Sequence, residues 1–164
     1  MSDYAARRKE RSLCFESRLG ASPARIWRWI TSVDGIATEL RPLLRMTAPR
    51  EVQSIEDLAL VPGQRLFRSY VFLLGIIPID YSDMTLLEIE PGRGFIEQSP
   101  MGSMRLWRHE RRILPCVDEP GMHRLVDKLT FQPRWMAPVV GWFIRQVFTH
   151  RHRRLRAHLG GEQY

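Results

Sequence analysis

The stretch from Gln64 to Pro133 most narrows what this chain can become, because five alternating apolar segments follow one another there with short connections. QRLFRSYVFLL, IDYSDMTLLEIE, GFIEQSP, SMRLWRHERRILPCV and MHRLVDKLTFQP each carry the period that puts successive side chains on opposite faces of a strand. Turn signals separate them: Gly75 to Pro78, Pro91 to Gly94, Pro100 to Gly102 and Asp118 to Gly121. Connections this short join antiparallel neighbours, since a parallel pair needs a long crossover. The segments predict an antiparallel meander whose apolar face must be covered. The last stretch, APVVGWFIRQVFTHRHRRLRAHLGG, can cover it. Pro138 suits the start of a helix and Gly160 its end. Val140, Phe143, Ile144, Val147, Phe148, Leu155 and Leu159 form its apolar stripe.

Upstream, SLCFESRLG alternates with Leu13, Phe15, Ser17 and Leu19 on one face, which predicts a half-buried strand. Ser22 is a good helix cap and Pro23 fits the first helical position. Ile26, Trp29, Ile30 and Val33 then share a helical face. Asp34 can cap a second short helix that Pro42 stops. LLRMTA predicts a further strand, and residues 49–63 read as a loop or short helix. The sum is an α+β chain: an antiparallel sheet of about six to seven strands wrapped on a long C-terminal helix, with two short helices after the first strand.

This order of elements resembles the START-like superfamily, also called helix-grip or SRPBCC, which includes polyketide cyclases and lipid carriers. The marks are "SPARIW" after the first strand, the "GIIP" hairpin, "PGRGFIEQSP" with the following W-R-H-E, and "LVDKLTF" before the last helix. The resemblance runs from about Ser12 to about Gly160. It implies one domain over residues 12–160, between a charged flexible segment 1–11 and a short tail 161–164. It also implies a hydrophobic cavity between the sheet and the last helix. It does not imply a reaction, because a fold does not fix a function.

The bulk composition excludes several classes. The two cysteines, Cys14 and Cys116, make no disulfide framework and no metal-binding spacing, so neither a metal nor another cofactor is expected. A reducing, cytoplasmic setting fits, and the charged start has no apolar core of a secretion signal. The longest apolar run, YVFLLGIIPI, is too short to span a bilayer. The net charge of +7 invites a nucleic-acid reading, but residues 1–11 carry +2 and residues 145–164 carry +4 of it. The body between them is nearly neutral, which makes nucleic acid an unlikely partner. The arginines of THRHRRLRAHL read more readily as the solvated face of the last helix than as a phosphate-binding run.

MRLWRHERRILP, residues 104–115, concentrates the candidate chemistry. If Asp118 to Gly121 is a simple turn with Val117 facing Met122, then Glu110 lies opposite Leu129 and Arg112 opposite Asp127. Leu125, Asp127, Leu129 and Phe131 form the more apolar face of their strand, which should look inward. That register brings Glu110, Arg112 and Asp127 together on the cavity side. A bulge at Pro115 would slip it by one residue and turn Trp107 and His109 inward instead. A cross-strand pair of structural charges is one reading. A carboxylate and a cation orienting a ligand's polar end is the other.

From these faces the expected cavity lining is Phe72, Tyr81, Met84, Leu106, Glu110, Asp127, Leu129, Phe131 and Phe143. Trp142 and Phe143 are expected in the core. The expected ligand is an apolar or aromatic small molecule or a lipid. An enzyme of cyclase or dehydratase type, using Glu110 or Asp127, remains open, as does an interaction protein using the Arg-rich helix. The apolar tip Leu73–Ile79 either packs under the first helices or stands as a lip that touches a membrane or a carrier protein.

Overall fold

The computed structural model describes residues 10–160; the rest of the charged N-terminal segment and the tail 161–164 lie outside the described residues. The elements are β1 (Arg11–Leu19), α1 (Pro23–Thr31), α2 (Val33–Leu40), β2 (Leu44–Met46), a single 3-10 turn (Ile55–Asp57), β3 (Arg65–Leu73), β4 (Ile77–Glu90), β5 (Gly94–Gln98), β6 (Met104–Pro115), β7 (His123–Pro133) and α3 (Ala137–Leu159). They form one seven-stranded sheet in the order β1-β7-β6-β5-β4-β3-β2. Every neighbouring pair is antiparallel. Helix α3 packs across β1, β7 and α2.

Local chemistry explains the start of the chain. The Ser22 hydroxyl accepts from the Arg25 amide at 3.2 Å, and Pro23 opens α1. The cap of α2 is Ser32 rather than Asp34: its hydroxyl accepts from the Gly35 amide at 2.9 Å. Ser32 also ends α1, so a single extended residue joins the two helices. The segment 49–63 is mostly loop, pinned where Ile55 is buried and where Ser54 and Asp57 cap each other's backbone groups.

The core has two lobes. Leu19, Ile26, Ile30, Ile113, Leu125 and Leu155 fill one. Leu40, Leu129, Phe131, Ile144, Val147 and Phe148 fill the other. Each such side chain contributes about 1.5–3 kcal/mol by leaving water.

The β6–β7 register differs from the simple-turn expectation by one residue. Pro115 pairs with His123, Arg111 with Asp127 and His109 with Leu129. The connection 116–122 is longer than a tight turn, and Pro115 ends the ladder instead of bulging it. The irregularity sits at the other end of β6, between Met104 and Leu106. It lets Met104 and Trp107 both face inward while Leu106 faces out. A shift of one residue exchanges every side chain between the faces. Trp107, His109, Arg111 and Ile113 therefore point into the molecule, and Arg108, Glu110 and Arg112 point out.

Candidate functional site

At the centre of the sheet's inner face lies a fully buried ionic network. Asp127 on β7 and Glu39 on α2 are both 0% exposed, as is Arg111 on β6 between them. Arg111 presents a fork to each carboxylate. Its Nε and Nη2 donate to Asp127 at 2.7 and 2.8 Å, and its Nη1 and Nη2 donate to Glu39 at 3.2 and 3.0 Å. Glu39 also accepts from Arg151 Nε on α3 at 2.9 Å and from Trp29 Nε1 at 3.1 Å. Asp127 also meets Nε2 of His109 at 2.7 Å and Nε2 of His152 at 2.8 Å. Each carboxylate thus has four hydrogen bonds from three residues, which is why it can stay ionised without water.

Burial alone would raise the carboxyl pKa values. The arginines outweigh it and hold Glu39 below its ordinary 4.5 and Asp127 well below 3.8, with His109 reinforcing the effect at Asp127. Burial likewise acts to lower the pKa of Arg111, but the two carboxylates raise it further. An ionised Asp127 can only accept, so both histidines donate to it through Nε2. The other ring nitrogen of His152, Nδ1, is hydrogen-bonded to the Ser17 hydroxyl at 2.7 Å, and Ser17 accepts from Arg156 at 2.9 Å. Gly94 lets β5 close on this strand: a Cβ there would stand 2.1 Å from the Arg111 carbonyl oxygen.

Beside the network, between the sheet and α3, is a cavity of about 390 Å³. Its walls are mostly apolar. Met46, Val71, Met84 and Leu86 come from the strands, and Val140, Phe143 and Val147 from α3. Its inner end is polar, where Glu97, His109 and Arg151 reach the wall. Glu97 accepts from Ser99 Oγ at 2.8 Å, and its other oxygen stands 3.7 Å from His109 Nδ1. Phe148 braces this end, edge-on to His109 at 5.3 Å and beneath the Arg151 guanidinium at 4.9 Å.

The mouth of the cavity is different. Ile79 and Val139 line it and are also exposed. Around them stand Leu74, Ile76 and Ile77 from the β3–β4 hairpin and Trp135, Met136 and Trp142 from the start of α3, all exposed. The hairpin tip therefore does not pack under the first helices, and Trp142 is not a core residue. Leu74 and Met136 both adopt left-handed backbone conformations, with φ of 51° and 50°. That conformation is uncommon for bulky side chains and costs on the order of 1 kcal/mol each. Asp80 ties the hairpin to the β5–β6 loop, accepting from the Ser103 hydroxyl and from the Ser103 amide at 3.1 Å.

The expected lining residues divide accordingly. Met84 and Phe143 line the cavity. Leu129 and Phe131 face inward but are sealed in the second core lobe, and Asp127 lies in the network behind the wall. Phe72, Tyr81, Leu106 and Glu110 are not part of the lining. Phe72 and Tyr81 lie under the guanidinium groups of Arg45 and Arg68, each at 4.3 Å, on the outer face. Tyr81 and Met84 differ by an odd number of residues, so an unbroken strand cannot turn both inward. Glu110 pairs with Arg108 at 3.5 Å on the outer face, so it cannot serve as an acid or base for a molecule in the cavity.

Glu39, Glu97, Arg111, Arg151 and His152 were absent from that expectation. The last two had a legible signal. They follow Val147 and Phe148 by one helical turn and precede Leu155 by another, so they fall on the apolar stripe. The Arg-rich helix is not a solvated face at these positions, and it stays helical to Leu159. Arg154 and Arg156 are also engaged, with the Thr38 carbonyl at 3.3 Å and with Ser17. Among the described residues, no group of three or more His, Cys, Asp or Glu is placed to hold a metal. No helix there is long and apolar enough to cross a membrane.

Known proteins place this architecture. A protein from Chromobacterium violaceum superposes with a TM-score of 0.67 at 13% identity, covering 90% of this chain and 96% of the other. A START superfamily protein from Mycobacterium smegmatis gives 0.61 at 12% identity, covering 91% and 97%. An aromatase/cyclase from a Streptomyces species gives 0.62 at 11% identity, covering 92% and 94%. At these identities the likeness is one of fold, and the fold is START-like. No curated protein matches the chain in sequence. Residues 17–159, nearly the whole described chain, match the family described as a domain of unknown function, DUF8410, and the chain belongs to that family.

Proposed function

We propose that this protein binds an apolar or aromatic small molecule, or a lipid chain, in the cavity between the sheet and α3. The observation that carries this is a cavity of about 390 Å³ with mostly apolar walls and a few convergent polar groups at its inner end. That volume lies in the range of small-molecule sites, and the wall composition is the kind that holds an apolar body and orients it by one polar group. Four methionines, Met46, Met84, Met101 and Met104, line it, and their flexible thioethers adapt to differently shaped ligands. The likeness to a START superfamily protein and to an aromatase/cyclase supports the same reading.

The test is a fluorescence titration with N-phenylnaphthylamine, an uncharged dye that brightens in apolar surroundings. The wild type should bind it at one site. Met84→Trp, which fills the cavity from the sheet side, should abolish binding while far-UV circular dichroism stays unchanged. Binding that is undiminished in this variant, or no binding by the wild type, would rule the cavity out.

A second reading concerns the mouth. The exposed apolar groups of the hairpin Leu73–Ile79 and the start of α3 form two lips, with Trp135 and Trp142 on one of them. Such a rim suits contact with a membrane surface or a carrier protein that delivers the ligand. Co-sedimentation with phosphatidylcholine vesicles, lost in Ile76→Ser with Trp142→Ser, is the check. An enzyme on the same cavity would have to use Asp80, Glu97 or His109, the carboxylate and imidazole groups that line it together with Arg151.

A further inference from the structure

The reading of the cavity as a ligand site leaves its polar end to be explained. Arg151 is 8% exposed, and among the described residues it spends only Nε, on Glu39. Its two terminal nitrogens make no hydrogen bond there, yet they are not sealed away, and the residue lines the cavity. Glu97 is also 8% exposed. One of its oxygens takes the Ser99 hydroxyl, while the other has no hydrogen-bond partner among the described residues, at 3.7 Å from His109 Nδ1. Both residues flank the His109–Phe148 contact, so they serve the same end of the cavity. One unspent donor group and one unspent acceptor thus converge at one end of a cavity whose walls are mostly apolar.

We propose that Arg151 and Glu97 form a donor–acceptor couple that selects ligands carrying an uncharged hydroxyl, phenolic or alcoholic, at the buried end. A hydroxyl has one hydrogen to donate and lone pairs to accept with, so it satisfies Glu97 and Arg151 together. A plain hydrocarbon displaces the water from both and replaces neither hydrogen bond. A carboxylate could accept from Arg151, but it would crowd Glu97. The charge balance makes this costly. Arg111 and Arg151 are matched by Asp127 and Glu39 through direct bonds, so the negative charge of Glu97 has no arginine bound to it. A second anion beside it in a wall of low polarity meets repulsion that bulk water would have screened. A ligand cation could pair with Glu97, but it has no lone pair to accept from the terminal nitrogens of Arg151.

The test uses three aromatic probes of nearly equal shape, substituted at one ring position: naphthol, methylnaphthalene and naphthoate, each titrated by calorimetry at neutral pH. The wild type should bind naphthol at least about tenfold more tightly than either of the others, because a site built to pair a hydroxyl rejects molecules that lack one. Glu97→Gln, nearly isosteric and uncharged, should narrow the gap between naphthol and naphthoate and leave methylnaphthalene unchanged. Arg151→Lys should weaken naphthol and leave methylnaphthalene unchanged. Should the arginine variant fail to fold, Glu97→Gln decides by itself. Equal binding of all three probes by the wild type overturns the couple and leaves the cavity standing. So does a naphthol-to-naphthoate ratio that Glu97→Gln does not move. If none of the three binds, the cavity reading falls and the couple with it.

Discussion

The two ends of the cavity are built on opposite principles. At the inner end, two buried carboxylates are held by two arginines, two histidines and a tryptophan N–H. At the mouth, apolar side chains that could have been buried stand in solvent on two backbone positions of positive φ. Each arrangement is unfavourable taken alone. The inner end recovers its cost because each carboxylate has four hydrogen bonds, so removing one partner exposes the desolvation penalty. The apolar groups at the mouth have no such compensation and stay exposed among the described residues. Rigidity belongs to one end and access to the other.

The sharpest way to break this comparison is at Arg111. Arg111→Met should destabilise the protein by about 3–5 kcal/mol, since Glu39 and Asp127 are left as buried, partly unpaired charges. Arg112→Met, its sequence neighbour on the outer face, pairs with partly exposed Glu88 and should cost less than about 1 kcal/mol. Urea denaturation of both variants checks the pair. Similar losses would mean that the network is not the stabilising feature of the inner end.

Acid probes the same end more gently. Glu39 and Asp127 have depressed pKa values in the folded state, so below the ordinary carboxyl range the unfolded chain binds more protons. Stability from this source is complete above about pH 5 and is lost as pH falls from there. Glu39→Gln should lower stability at neutral pH and flatten its decline in acid. A urea midpoint that is constant from neutral pH into strong acid would contradict the network's ionisation.

The smallest effect belongs to the mouth. Ile76 is 77% exposed, so Ile76→Ser should change stability by less than about 0.5 kcal/mol in either direction. A larger loss by thermal melting would mean that the hairpin tip packs more than its exposure shows, and the contrast between the two ends would weaken.

Comparing Glu110 with Arg111 shows where a sequence stops being informative. Alternation alone says that these neighbours face opposite ways, and it does so correctly. It cannot say which of them faces in, because that depends on the length of the connection 116–122 and on the irregularity near Arg105. Nothing in the composition of MRLWRHERRILP marks Arg111 as the most buried arginine. The helix is a milder case. The phase of its stripe already points Arg151 and His152 inward, but charge argues against burial until partners are known. Those partners, Glu39 and Asp127, lie far away in the chain.

What the sequence by itself determined is therefore the set of elements and their order. Ser22 and Pro23 start a helix, short turns enforce antiparallel neighbours, and one long apolar stripe closes the sheet. These signals are local, with periods of two and 3.6 residues and caps that act within a single turn. Tertiary structure alone decided the register of β6 on β7, the pairing of four distant charges, and which residues border empty space. Each of those is a difference between nearly equal alternatives, settled only when strands, α2 and α3 close on one another and every buried charge must find its counterpart.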